Sequence, residues 1–325
     1  MSTHTYRTVD VPVAGGDLRV GVWEPASIAD AEVPGAFDST RASESSPAHV
    51  PSVLAIHGVT ASHLAWQFVV DQLPGVRLIA PDLRGRGQSA DVEGPAGMAT
   101  HARDLVAVLD HFGIESLPVL GHSMGGFVSV VMSHLAPERV DRLMLIDGGL
   151  PLDAPAGISA EDLVAAILGP TAERLSKRFD TTESYLSFWR AHPAFQEWSA
   201  ELDEYFTYDL VADGEQFRPA TSLATTTEDT VDLNTGTALV DALGALPGFG
   251  KPIHFITVPR GLQNEAPGLY APAHLARLLE AFPCVDHDRL DDLNHYTVVM
   301  SARGAERIGP LLRAATSVAT AQSTT

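Results

Sequence analysis

The sequence contains a single cysteine, Cys284, among its 325 residues. One cysteine cannot form a disulfide within the chain, and no metal-ligand spacing surrounds it, so a reducing compartment is favoured. Cysteine often behaves as a small apolar side chain. We therefore predict that Cys284 is buried near the start of a strand.

Basic residues are also scarce, because 21 Lys and Arg stand against 41 Asp and Glu and give a net charge of -20. This balance argues against nucleic acid and anionic membranes as partners, since those surfaces select basic patches. The sequence has no run of about 18 apolar residues, and its first residues lack the apolar region of a signal peptide. We expect a soluble, cytoplasmic protein that acts on a small molecule, and a homo-oligomer is compatible with the sequence.

Motifs for metals and nucleotides are missing as well. The 13 histidines include no HExxH pattern or carboxylate-histidine cluster. Gly85 and Gly87 match part of a dinucleotide fingerprint, but no third glycine opens a helix at the required spacing. In the same loop, Asp82 and Arg84 are assigned to holding the loop in shape. We therefore expect no metal and no cofactor.

The segment Leu117–Phe127 combines an apolar run, a tight turn and the start of a helix. Its centre, Gly121-His-Ser123-Met-Gly125, matches G-x-S-x-G, in which a serine lies on a sharp strand-to-helix turn. The glycines leave room for the chain to fold back, and the strained turn lifts the hydroxyl clear of the sheet. We predict that Ser123 is a nucleophile, and we prefer this to a structural turn because both the strand and the helix are present.

Short apolar runs bounded by turn residues recur along the chain, as in strands buried on both faces of a parallel sheet. Alternating patterns at each side of Gly15-Gly16-Asp17 predict an antiparallel hairpin before them. The predicted strands are residues 5–13, 18–23, 53–56, 76–80, 142–146, 253–258 and 285–290, and helices are predicted at 100–112 and 302–315. The pattern is typical of an α/β fold.

Strand-like patterns stop at residues 151–246, where helical patterns with proline and glycine breaks replace them. We predict a helical cap there, inserted into a core domain formed by residues 1–150 and 247–325. Polar, aperiodic sequence predicts a surface insertion at residues 26–50 and a disordered tail at 316–325.

Ten of the 22 aromatic residues lie between Phe179 and Phe217. This density suggests an apolar roof over the site, although for any single ring packing within the cap is the more frequent role. Phe188, Trp189 and Tyr205 are the rings that we assign to substrate binding.

The turn after the strand at residues 53–56 provides a second group of candidates. Gly58 permits close backbone approach, and the N–H of Val59 can pair with that of Met124 as a two-donor oxyanion hole. Gly58 and His122 are also assigned to the substrate pocket. For His57, a plain strand-to-helix turn is as well supported as a direct role.

Four features in this chain order resemble the α/β-hydrolase superfamily: His57-Gly58, Asp82 with the loop to Ser89, the motif around Ser123, and Asn294-His295. The resemblance covers nearly the whole chain outside residues 26–50 and the cap. It implies a mostly parallel eight-stranded sheet flanked by helices, with a Ser-acid-His triad at the carboxyl edge. His295 takes the place of the general base, while His101, His111, His192 and His274 are assigned to helical or loop surfaces.

The acid of the triad departs from the pattern of most of the superfamily, because the loop where an aspartate is expected offers Glu265 as its nearest carboxylate. A minority of the superfamily takes its acid from the end of the sixth strand, where Asp147 lies, and zearalenone-type lactone hydrolases look like one such group. We favour Asp147 over Glu265. Asp291 and Asp292 are disfavoured, since they are too close in sequence to His295 to reach around its ring.

These residues predict a serine hydrolase that cleaves a carboxylic ester or lactone through an acyl-enzyme on Ser123. The aromatic cap weakly favours a bulky apolar substrate such as a macrolactone. Thioesterase, C–C bond hydrolase and perhydrolase activity on the same triad remain alternatives. So does a receptor-like protein that binds a ligand and turns it over slowly.

Overall fold

The computed structural model describes residues 3–26, 50–153 and 173–317. Its strands are His4–Val13 (β1), Gly16–Pro25 (β2), Ser52–Ile56 (β3), Arg77–Pro81 (β4), Leu117–His122 (β5), Val140–Ile146 (β6), Leu210–Asp213 (β7), Gln216–Pro219 (β8), Ile253–Thr257 (β9) and Val285–Arg289 (β10). Its helices are Met98–His111 (α1), Met124–Leu135 (α2), Thr182–Arg190 (α3), Ala200–Tyr208 (α4), Leu223–Thr235 (α5), Thr237–Ala245 (α6), Pro272–Ala281 (α7) and Ala302–Ser317 (α8).

Eight strands form one sheet in the order β1-β2-β4-β3-β5-β6-β9-β10. The pairs β1/β2 and β2/β4 are antiparallel, and all other neighbours are parallel. This arrangement confirms the predicted fold, a mostly parallel eight-stranded sheet flanked by helices. Because β3, β5, β6 and β9 run in the same direction, the residues that follow these strands meet at one edge of the sheet.

The continuous apolar runs are explained by two cores, one on each face of the sheet. In β3, Leu54 and Ile56 belong to one core while Val53 and Ala55 belong to the other, and all four are fully buried. Successive side chains of a strand point to opposite faces, so a strand covered on both sides has no polar position. Each large side chain buried in this way contributes roughly 1.5–3 kcal/mol.

Helices α1 and α2 cover one face of the sheet. Leu105, Val108 and Leu109 of α1 are buried at helical spacing, which matches the predicted helix to within two residues. The helix α6 lies within the predicted cap range, and its Leu239 and Ala242 pack in the same core as α1 and α2.

The other described elements in the predicted cap range include α3, α4, α5 and a small hairpin. The hairpin, β7 with β8, turns at Gly214, whose φ of 66° lies in the left-handed region. Only helices were predicted here, because these strands are four residues each and lack a buried apolar run. The aromatic rings of α3 and α4 join the second core of the sheet rather than forming a separate one.

Two predictions about polar segments cannot be compared with the structure, since residues 27–49 and 318–325 lie outside the described residues. The prediction for Cys284 was wrong: this residue is exposed, and Val285 next to it is the buried start of β10. Among the described helices, none is both long and apolar enough to cross a membrane.

Candidate active site

Ser123 lies between the end of β5 and the start of α2, with φ 55° and ψ -123°. Its backbone N–H donates to the carbonyl of Ile146 at 2.9 Å, which ties the turn to the neighbouring strand. A Cβ atom on Gly121 would overlap the carbonyl of Gly125, and one on Gly125 would overlap the carbonyl of Ile56. Both glycines are therefore required by close backbone approach. The strained serine costs about 1–3 kcal/mol, which the surrounding core must offset.

His295 follows β10 in a loop that is held at several points. Its backbone N–H donates to the carbonyl of Arg260 at 3.0 Å, and its carbonyl accepts a 2.8 Å hydrogen bond from Nε2 of His122. The side-chain oxygen of Asn294 accepts from the N–H groups of Tyr296 and Thr297. These contacts fix the imidazole beside the turn that carries Ser123.

Asp147 is the first residue after β6 and has a positive φ of 46°. Its Oδ2 lies 2.7 Å from Nδ1 of His295, and both side chains are almost completely buried. The N–H of Val258 lies 3.4 Å from the other carboxylate oxygen. A carboxylate at this position holds the proton of His295 on Nδ1, so that Nε2 is left with a lone pair that can accept a proton.

Glu265, the alternative acid, is exposed in the loop that follows β9. Its Oε2 accepts a 2.7 Å hydrogen bond from the N–H of Gln263 in the same loop. The structure thus brings Asp147, and not Glu265, into contact with His295.

A cavity of about 30 Å³ opens above Ser123. Its described lining is Gly58, Val59, Thr60, Ala61, His122, Ser123, Trp189, Tyr205, Phe206, Asp209, Leu262, His295, Tyr296 and Met300. It therefore brings together every residue that we assigned to the pocket except Phe188. That ring is half-buried and packs against Phe179 and Trp189.

Of the two residues predicted to form the oxyanion hole, Val59 lines this cavity and Met124 is not in the lining. Met124 begins α2 directly after Ser123, where helix N–H groups have no partner within the helix. Arg86 is a residue that the sequence analysis missed. Its Nε donates to the carbonyl of Val59 at 2.9 Å, and its Nη2 lies 4.0 Å from the sulfur of Met124. The buried guanidinium also forms an ion pair with Asp229 of α5 at 2.5 Å. Arg86 therefore links α5 to the turn that carries Val59.

The loop after β4 is held as predicted through Asp82 and Arg84. Asp82 accepts hydrogen bonds from His63 at 2.7 Å and from the Tyr208 hydroxyl of α4 at 2.6 Å. Burial alone would raise the pKa of Asp82, but the interaction with His63 outweighs it and lowers that pKa to about 2. Arg84 forms a buried ion pair with Asp104.

Two histidines of the site region are buried without charge. Burial lowers the pKa of His57 to about 4. Burial, followed by the neighbouring His295, holds the pKa of His122 well below its usual range. His57 has partners suited to the neutral ring, because the carbonyl of Gly58 is 2.7 Å from Nδ1 and the N–H of Leu83 donates to Nε2 at 3.0 Å.

The prediction that His101 and His274 lie at the surface was wrong. His101 is fully buried and contacts Asp229 at 2.9 Å, while His274 is 8% exposed and contacts the carbonyl of Pro151.

The structure predicts that acid destabilises the protein through His57 and His122. Between pH 6.5, the ordinary value, and about 4, unfolded His57 binds a proton that the native residue does not, so stability falls as pH falls. The free energy of unfolding should drop by about 1.4 kcal/mol per pH unit for each such histidine. Urea unfolding at several pH values measures this slope. His57→Gln should flatten it, whereas His111→Gln, at an exposed position of α1, should not. Equal slopes in all three proteins would contradict the assignment.

A further prediction concerns Gly58, which faces the nucleophile. A Cβ atom there would lie 3.1 Å from Cβ and 3.5 Å from Oγ of Ser123. Gly58→Ala should therefore lower kcat/KM by about 10²-fold, because a small displacement at the reacting centre is costly. Gly244→Ala is the matched control, since a Cβ atom there meets nothing within 4 Å. Wild-type kinetics in Gly58→Ala would show that this space is not used.

The sheet, the strained serine turn and the Asp147–His295 pair together define the α/β-hydrolase class of fold and site. The family model described as "alpha/beta hydrolase fold" matches residues 51–227 of this chain. The chain belongs to this family.

Curated relatives match the chain over shorter stretches. An uncharacterized protein of Mycobacterium tuberculosis is 39% identical over 103 residues, which is 30% of this chain and 29% of that protein. Lipase LipV of Mycobacterium tuberculosis is 35% identical over 122 residues, covering 38% of this chain and 45% of the lipase. The chain thus spans less than half the length of these two relatives.

Solved structures match over almost the whole chain at low identity. The thioesterase domain from the curacin biosynthetic pathway is 19% identical, with a TM-score of 0.68 and coverage of 95% of this chain and 99% of that one. E-2-(acetamidomethylene)succinate hydrolase is 18% identical, with a TM-score of 0.70 and coverage of 96% and 99%. At these identities the likeness concerns the fold alone.

Proposed function

We propose that the protein is a serine hydrolase of carboxylic esters or lactones. The observation that carries this proposal is the 2.7 Å contact between Asp147 and Nδ1 of His295, in a cavity that Ser123 and His295 both line. A serine on a strained turn, an imidazole with a free Nε2 and a buried carboxylate are the three parts of a Ser-His-Asp triad.

In the proposed mechanism, Oγ of Ser123 attacks the carbonyl carbon while its proton passes to Nε2 of His295. The electron pair of the carbonyl moves onto its oxygen, where the N–H groups of Val59 and Met124 stabilise the charge. Collapse of this intermediate breaks the ester bond, and His295 returns the proton to the leaving alkoxide. Water then attacks the acyl-enzyme in the same way and releases the acid. Asp147 stays ionised and stabilises the imidazolium in both steps.

The free space between the described residues limits which substrates fit without movement of the cap. A volume of about 30 Å³ holds only a few atoms, since one water requires about 10–15 Å³ on this measure. Short acyl groups therefore fit most readily. A macrolactone requires displacement of side chains such as Trp189 and Phe206.

A substrate panel tests the proposal. p-Nitrophenyl esters of two to eight carbons, matched acyl thioesters and a macrolactone should be compared at equal enzyme concentration. We expect the highest kcat/KM on the short oxygen esters. Faster turnover of the thioesters would reassign the protein as a thioesterase, and absence of turnover on every member would contradict the hydrolase proposal.

A further inference from the structure

Arg174 is a buried arginine in the predicted cap range, and only one nitrogen of its guanidinium makes hydrogen bonds in the described structure. Nη1 donates to Oδ2 of Asp209 at 2.7 Å and to the hydroxyl of Tyr185 at 2.7 Å. The Tyr185 hydroxyl donates in turn to Asp209 at 2.6 Å. Nε and Nη2 of Arg174 have no hydrogen-bond partner in the described structure, although the side chain is only 1% exposed.

The unused atoms form one edge of the guanidinium. Nη2 is the terminal nitrogen on the same side as the N–H of Nε, so the two N–H bonds point in parallel. This is the geometry with which arginine binds the two oxygens of a carboxylate. An unpaired buried donor costs about 1–3 kcal/mol, and more when it is charged, so an acceptor that fills this edge is stabilised.

Arg174 contacts two residues that line the cavity above Ser123. One is Asp209, and the other is Trp189, whose ring centroid lies 5.0 Å from the guanidinium carbon. Arg174 itself is not in the lining, but it lies directly behind these two residues of the cavity wall.

We propose that the substrate carries a carboxylate besides its reacting carbonyl, and that the Nε–Nη2 edge of Arg174 binds it. This inference rests on the proposed ester hydrolase function and names its substrate class, a half-ester or lactone of a carboxylate-bearing molecule. The ring of Trp189 lies against the guanidinium, and Asp209 with Tyr185 holds its opposite edge in place.

Matched substrates test this specificity. Mono-p-nitrophenyl glutarate is compared with p-nitrophenyl pentanoate, and 4-acetoxybutyrate with butyl acetate, so that the carboxylate lies on the acyl half in one pair and on the alcohol half in the other. In at least one pair, kcat/KM should be about 10-fold higher or more for the carboxylate substrate than for the neutral one. The reason is that a bidentate pair between arginine and a carboxylate is one of the stronger hydrogen-bonded contacts, and about 1.4 kcal/mol of binding energy corresponds to a factor of ten. Absence of a preference in both pairs would overturn the proposal.

Variants assign the preference to Arg174. In Arg174→Met the ratio of kcat/KM between carboxylate and neutral substrate should fall to about 1, and Arg174→Lys should recover only part of it because an ammonium lacks the fork. Arg178→Met is the control: this half-exposed arginine pairs with Asp213, does not line the cavity, and its loss should keep the wild-type ratio. If Arg174→Met fails to fold with Asp209 unpaired, the double variant Arg174→Met/Asp209→Asn removes both charges. An unchanged ratio in the folded variant would contradict the assignment.

A binding measurement separates this inference from the proposed function. Calorimetric titration of Ser123→Ala with glutarate should show binding that Arg174→Met abolishes, whether or not esters are substrates. Glutarate binding that depends on Arg174, without ester hydrolysis, would contradict the proposed function but not the carboxylate site. Ester hydrolysis without glutarate binding and without a preference for carboxylate substrates would contradict the carboxylate site but not the proposed function.

Discussion

Replacing Ser123 with alanine is expected to reduce kcat for the best ester of the panel by about 10⁶-fold, the scale of nucleophile removal in a serine protease. The reason is that no other hydroxyl among the described residues shares both the strained turn and the cavity with His295. Thr60 also lines the cavity, but it lies in the turn after β3. Steady-state kinetics together with a burst measurement on wild-type protein check the result.

Ser129→Ala is the matched control for this variant. Ser129 lies on α2 and is fully buried, and its hydroxyl donates to the carbonyl of Gly125 at 2.7 Å. Its loss should cost about 1 kcal/mol of stability and leave the chemistry within a few-fold of wild type. A Ser123→Ala protein that retains more than a small fraction of the wild-type rate would mean that another group attacks the ester.

The second large effect is expected for Asp147. Asp147→Asn keeps the shape of the side chain but presents an amide to Nδ1 of His295, which favours the wrong tautomer and should reduce kcat by about 10⁴-fold. Glu265→Gln should change kcat by less than about threefold, because exposed polar contacts contribute little. Kinetics of both variants on one substrate, with melting temperatures to confirm folding, make the comparison. Equal, mild losses would show that neither carboxylate orients the base.

The elbow around Ser123 was predictable because its causes are local. A strand, two glycines two residues either side of the serine and a helix follow one another in the chain, and the glycines are explained by contacts within the turn and with β3. The acid was not decided by local sequence. The choice between Asp147 and Glu265 depends on which strand end faces His295 across the sheet, and that is set by the strand order.

Two buried arginines, Arg86 and Arg174, were missed for a related reason. A charged residue in a polar segment is normally exposed, and it is buried only when a partner of opposite charge pairs with it. Such a partner is distant in the sequence and is known only from the structure. Arg86 is buried by Asp229, more than 140 residues further along the chain, and Arg174 by Asp209 and Tyr185. The error at His101 has the same origin, since its partner is again Asp229.

The most direct test of the triad is labelling with a fluorophosphonate, followed by peptide mass spectrometry. Such a reagent reacts fastest with a serine that an adjacent base activates. We predict one phosphonyl group per chain, on Ser123, with no labelling of Ser123→Ala and strongly slowed labelling of His295→Ala. A label on any other residue, or undiminished labelling of Ser123→Ala, would contradict the account.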